Sequence, residues 1–169
     1  KAGYDGRPVV ILQTTNIAFG NNAAQLIAQW LRQAGVNAEL APSDWGGVVT
    51  RRASKKPPAE GGWNAFVTWS SAQGLSNPVA HVAHAATGEK AWFGWPSDPN
   101  QEGLRDKWAA AATLEERRAV AREIQANAWS FVPGVYLGQW TPPVAYRAKL
   151  TGFLPVPDTA LPFWNVEKA

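Results

Sequence analysis

His81 and His84 are the chain's two histidines, three residues apart where a short helix would place both on one face. An imidazole pair can begin a metal site, but such a site needs further ligands, and neither Asp nor Glu lies near enough in sequence to supply them. A solvent-facing or hydrogen-bonded pair is therefore expected, and no metal. The adjacent carboxylates Glu115 and Glu116 suit the electrostatics of a helix N-terminus better than acid–base catalysis. No cysteine is present, which removes disulfides, thiolate metal sites and a thiol nucleophile and leaves the redox compartment open. No Gly-x-Ser-x-Gly elbow, phosphate loop or dinucleotide fingerprint occurs. With no defensible nucleophile, base or cofactor site, the chain is expected not to be an enzyme and to work by binding without chemistry.

The residue type in excess is tryptophan, ten in 169 residues. Indole joins a large contact area to one N–H donor, which suits a cleft for apolar or ring-shaped groups, and equally a Trp-rich core. Residues 63–71, in which Phe66 to Trp69 are an unbroken aromatic and β-branched run, read as one strand buried on both faces, and Trp69-Ser70-Ser71 brings a flat apolar surface and two hydroxyls together where the chain leaves it. In open α/β sheets ligands bind outside such carboxyl ends. Trp69 either lines a site there or simply caps the core. Arg51, Arg52, Lys55 and Lys56 form one basic cluster, expected to be a solvated helix end and loop. The net charge of +3 and pI near 9.4 are mildly basic, but only 17% of residues are charged and they are scattered, so nucleic acid is not an expected partner. No apolar run is long enough to span a bilayer, and no signal-peptide-like start is seen.

The elements that must position these residues follow from pattern and punctuation. Gly3, Asp5-Gly6 and Pro8 are turn chemistry before a strand at residues 9–12. Asn21 or Asn22 caps a helix whose stripe is Leu26, Ile27, Trp30, Leu31 and Ala34, closed by Gly35. Residues 36–40 follow as a second strand, so a βαβ unit with parallel strands is expected. Ser43 is the expected cap of the next helix, with Asp44 at its positive end and Trp45, Val48 and Val49 as its apolar positions. Residues 75–86 read as a short helix and residues 87–96 as an aromatic loop around Gly94. Asp98-Pro99 starts a helix with Leu104, Trp108, Ala111 and Ala112 on its apolar face. Thr113 with Glu116 is a capping box that opens the next one, with Val120, Ile124, Ala128 and Phe131 stacked along it. Pro133-Gly134 ends that helix before a short strand at residues 135–137. Beyond Thr141 the chain is rich in Pro and Gly, through Gly152, Pro155, Pro157 and Pro162, and is expected to have no core of its own. The class is α/β: a βαβ core with a mostly parallel sheet, several helices and an irregular C-terminal tail.

The order of these motifs resembles a family. Gln29-Trp30-Leu31, Ala34-Gly35-Val36-Asn37-Ala38-Glu39-Leu40, Asp44-Trp45 and the Trp63 to Trp69 strand are similar to the second lobe of the extracytoplasmic solute-binding proteins of ABC importers, family 5, which includes dipeptide- and oligopeptide-binding proteins. Glu123-Ile124-Gln125, Val135-Tyr136-Leu137-Gly138-Gln139, Ala145-Tyr146-Arg147, Gly152-Phe153 and Phe163-Trp164-Asn165-Val166 continue the likeness over nearly the whole chain. The resemblance implies a class II periplasmic-binding-protein fold, of which residues 1–140 are part of lobe II and residues 141–169 return to a missing first lobe. Residues 1–6 would be the end of a helix that begins earlier. It implies an extracytoplasmic or periplasmic location, a membrane permease as partner, and hinge closure around a small solute or short peptide. Trp45, Trp69, Ser70, Ser71, Asn77, Gln139 and Trp140 are the ligand-binding residues carried over, with no catalytic residue, metal or cofactor. Peptide binders of the family place an Asp three residues past the Trp69 position to pair with the ligand's ammonium; here that residue is Ala72, and no acid lies between Trp63 and Glu89. A buried ammonium without a counter-charge is costly, which favours a neutral or hydroxyl-bearing solute unless the counter-charge comes from elsewhere. The alternative to a transport component is a stand-alone Trp-rich module that binds nucleic acid or an acidic partner through the basic cluster.

Overall fold

A computed structural model describes residues 3–154 and 162–168; the tail positions Pro155 and Pro157, and Lys1 and Ala2 of the expected helix end, lie outside the described residues. The chain forms two compact units, Lys1–Trp69 and Ser70–Ala169.

The first unit is built on three parallel strands in the order β2-β1-β3. These are β1 (Val9–Thr14), β2 (Ala38–Ser43) and β3 (Ala65–Phe66). Register runs from Val9 opposite Ala38 to Thr14 opposite Ser43, and pairs Ile11 with Ala65 and Leu12 with Phe66. The central, doubly covered strand is thus β1, buried from Val10 to Thr14, and not residues 63–71. Only two residues of that expected strand pair, at the sheet's edge. Asn64 extends the pairing: its backbone N–H donates to Val10 O and its side-chain oxygen accepts the Val10 N–H, both at 2.9 Å.

Helix α1 (Ala18–Gln33) joins β1 to β2. It begins before Asn21, whose side chain accepts from Gln13 and Gln25 and is not a cap. Its buried stripe is turned toward the small residues: Ala24 and Ala28 press on Ile11, Ala38 and Val67, flanked by Ile27 and Leu31. Leu26 and Trp30, expected inside, are exposed. Alanines let a helix sit close to a sheet, and a bulkier stripe would hold it off. The end is as expected: Gly35 has φ +85° and donates to Arg32 O, and Val36 donates to Leu31 O, a Schellman close.

Helix α2 (Trp45–Arg51) is capped by Asp44, not Ser43, which still belongs to β2. The Gly47 N–H donates to Asp44 Oδ1 at 2.7 Å. Val48 is buried beneath the helix. Arg51 and Arg52 are not a solvated cluster. Arg51 donates to the carbonyls of Gly61 and Gly62, both at 2.9 Å, and Arg52 lies over the rings of Trp45 and Phe66. Trp63 Nε1 donates to Arg52 O at 3.1 Å, so the helix end clasps the turn that feeds β3. Gly62 is required there, since a Cβ would stand 1.7 Å from Lys56 O.

In the second unit helix α3 (Pro99–Ala110) packs on α4 (Leu114–Phe131). Asp98 caps α3, and Thr113 with Glu116 forms the full capping box of α4. Val120 and Ile124 are buried. Leu104, Trp108 and Ala111 are half-buried, while Ala112 is exposed. The wholly buried residue of α3 is polar: Gln101, whose Oε1 accepts from Asn127 Nδ2, which also donates to Asp98. The helix expected over residues 75–86 is instead two 3₁₀ turns, Gln73–Leu75 and Val82–His84, because the Asn77 side chain accepts from Val79 N and Ala80 N and winds the chain before Pro78 can be followed by a helix. Residues 135–137, expected as a strand, have no ladder partner among the described residues. Farther on, β4 (Leu150–Thr151) pairs antiparallel with β5 (Glu167–Lys168).

Candidate functional site

The carboxyl ends of the three parallel strands open onto the same edge of the sheet, and the loops that follow them are stitched together. After β1, Thr15 donates to Ser43 O from both its N–H (2.7 Å) and its hydroxyl (3.0 Å). Asn16 Oδ1 accepts the Trp45 N–H at 2.9 Å and the Thr14 hydroxyl at 3.0 Å. After β2, Asp44 caps α2 and so fixes Trp45 as the first helical residue. After β3, the chain delivers Trp69.

These loops bring two of the expected ligand residues together. The rings of Trp45 and Trp69 lie 4.4 Å apart at 38°, and Phe19 meets Trp69 edge-on at 4.8 Å. Arg52 stands 5.5 Å from the centre of the Trp45 ring on its face, a cation–π contact, and burial lowers its pKa. Both indoles are half-buried and Phe19 is exposed. The result is a three-ring apolar platform with one cation behind it, suited to binding flat or apolar groups.

Phe19, Asn16 and Arg52 were not among the expected residues. Asn16 was findable, because it follows directly on a buried strand's carboxyl end. Phe19 carried no local signal, and Arg52 was visible only as part of the basic cluster read as a solvated helix end.

The other expected residues belong to the second unit. Ser70 is exposed, and Ser71 Oγ accepts the Gly74 N–H at 3.1 Å. The Asn77 side-chain oxygen is spent on its turn. Gln139 and Trp140 are exposed, in a segment without helix or ladder among the described residues.

The histidines are hydrogen-bonded. Their rings lie 4.0 Å apart, and the Tyr136 hydroxyl bonds His84 Nε2 at 2.7 Å and His81 Nε2 at 3.1 Å. One hydroxyl can donate to one imidazole, which must be neutral to accept, and accept from the N–H of the other. Burial, then the neighbouring His81 and Arg105, push the pKa of His84 down to about 4; burial also lowers that of His81 and raises that of Tyr136. Among the described residues no group of three or more His, Cys, Asp or Glu could hold a metal ion.

No family model matches the chain. Over 170 residues, the whole of this chain, it is 48% identical to a protein of Sinorhizobium fredii named as a probable peptide ABC transporter periplasmic-binding protein, and it spans 32% of that relative. Among solved structures it is similar to a dipeptide-binding protein of a Pseudoalteromonas in complex with Met-Leu, with TM-score 0.66 and 17% identity over 99% of this chain and 34% of that one. It is also similar to the ABC transporter substrate-binding protein CtaP of Listeria monocytogenes, with TM-score 0.61 and 17% identity over 76% of this chain and 26% of that one. These two likenesses establish the α/β periplasmic-binding-protein fold. Over its whole length the chain is thus similar to part of a probable peptide ABC transporter periplasmic-binding protein, and it spans about one third (32%) of that relative's length.

Proposed function

We propose that this chain is the solute-contacting part of an ABC importer's substrate-binding component, which captures a small solute, a peptide or a neutral hydroxylated compound, and hands it to a membrane permease from the periplasm. The observation that carries the proposal is the Trp45–Trp69 pair at the carboxyl ends of a parallel sheet. Peptide is the class named for the relative with 48% identity. Ala72 argues for a neutral ligand unless another part of the protein supplies a carboxylate. The work is binding and release by closure, with no bond made or broken. Residues 1–140 are assigned to the solute-binding lobe and residues 141–169 to a return toward the rest of the protein; exposed Val144, Tyr146, Phe163 and Trp164 give that tail apolar surface to dock. Ser70, Ser71, Asn77, Gln139 and Trp140 are assigned to the solute's polar groups and the closing edge.

Calorimetric titration of the full-length protein with di- and tripeptides and with neutral solutes tests this. Trp69→Ala is expected to weaken binding about thirtyfold, as loss of a central aromatic anchor does, and Trp108→Ala, on α3 beneath Arg117, less than about twofold. Equal losses would remove Trp69 from the cleft. Binding of peptides only would show that the counter-charge missing at Ala72 is provided elsewhere.

A further inference from the structure

The second unit holds a groove of its own, of about 400 Å³, within the size range of small-ligand sites. One wall is the chain around the Val82–His84 turn. The other is a loop carrying Trp92, Phe93 and Trp95.

That loop is pinned at its base. Thr87 and Ser97 form an antiparallel bridge, Gly88 N donates to Pro96 O at 2.9 Å, and Asp98 N donates to Ala86 O at 3.0 Å. At its tip Trp95 N donates to Trp92 O at 2.8 Å, and Trp95 itself has φ +48°. A bulky aromatic rarely takes the left-handed region, so the loop holds an indole against the groove in a conformation that glycine would adopt at no cost.

Two cations line the groove, Lys90 and Arg105. Arg105 is committed to structure: it pairs with Glu102 at 2.6 Å and donates to Pro78 O and Val79 O, which fixes the opposite wall and balances its charge. Lys90 is exposed and leaves its charge to the groove. Aromatic walls alone would suit an ammonium group as well as a flat apolar one. The Lys90 charge decides for an anion.

We propose that this groove binds a small amphiphile in which a flat apolar body carries a single carboxylate, the body lying against Trp92, Phe93 and Trp95 and the carboxylate pairing with Lys90. The site is additional to the solute site proposed above and does not depend on it.

Calorimetric titration of the full chain with indole-3-acetate, indole-3-acetamide and tryptamine tests the assignment. Saturable binding of the acetate is expected, with the amide about fivefold weaker, the scale of one exposed ion pair, and the amine weaker still. Lys90→Ala lowers the acetate to the amide's affinity, and Trp95→Gly, which the backbone there favours, weakens both. Trp69→Ala changes neither. Absence of saturation below about 10 mM, equal affinity for the three probes, or a Lys90→Ala variant that binds the acetate unchanged would each overturn the proposal. Loss of indole-3-acetate binding in Trp69→Ala would place the probe on the first unit and refute the groove, leaving the solute site standing. A Trp69→Ala variant that keeps its peptide affinity would do the reverse.

Discussion

The Tyr136 hydroxyl spans two imidazoles, at least one of which must be neutral to accept its proton, and this ties the second unit's stability to pH. His84 titrates at about 4 in the folded chain against an ordinary 6.5. The unfolded chain therefore takes up a proton that the folded chain refuses, and stability falls as pH drops from 6.5 toward 4. Above that window the histidines make no demand. His81, lowered in the same direction, adds to the effect, and Arg105 faces both rings as a second source of repulsion. Because both histidines are only about half shielded, the loss is discounted to roughly 1–2 kcal/mol. Urea unfolding at about pH 7 and about pH 5 should show it, and His84→Gln should flatten the difference. A variant with the same pH slope as the parent chain would mean that carboxylates, not this cluster, set the acid limit.

At the level of elements, α1 shows what packing adds to pattern. Ala28 is fully buried on the sheet while Trp30 is 58% exposed. Ala28→Leu is therefore expected to destabilise by about 1–3 kcal/mol through overpacking, and Trp30→Ala by less than about 0.5 kcal/mol, both measurable by denaturant unfolding. The large side chains had pointed to the wrong stripe, because hydrophobic size reports what a residue gains on burial and not how near the sheet a helix lies. Devices written into single side chains were legible: the Gly35 close, the Asp98-Pro99 start and the Thr113–Glu116 box all form. Strands were less so. Residues 9–12 looked like one short strand among several, and the strand there, Val9–Thr14, is the centre of the sheet, whereas residues 63–71 contribute a two-residue edge, since a strand's length is set by the neighbour it finds. Within the candidate site, Trp69 was visible as an aromatic at a strand's end and Trp45 through the family resemblance, but Phe19 reaches Trp69 from 50 residues away in sequence, a juxtaposition that only the βαβ topology creates.

Taken whole, the chain spends its apolar residues unevenly. The first unit buries a strand and the inner face of α1 around Ile11, while the second leaves Trp129, Trp164 and Val135 at 84%, 82% and 77% exposure. In the second unit, residues 135–137 belong to no helix or ladder among the described residues, so their amides should exchange much faster than those of Ile11 and Leu12, which lie in the central strand. Protection of that segment in a chain shown by light scattering to be monomeric would contradict this. In the full-length protein the same amides should become protected. The two stacked indoles of the first unit, 4.4 Å apart and inclined at 38°, have a consequence of another kind. Chromophores that close exchange excitation, so this pair should give a paired positive and negative band in circular dichroism that isolated tryptophans do not, and subtracting the spectrum of Trp45→Phe would extract it from the other eight. A solute that pries the rings apart would erase the couplet, so the chain carries its own unlabelled optical reporter of occupancy.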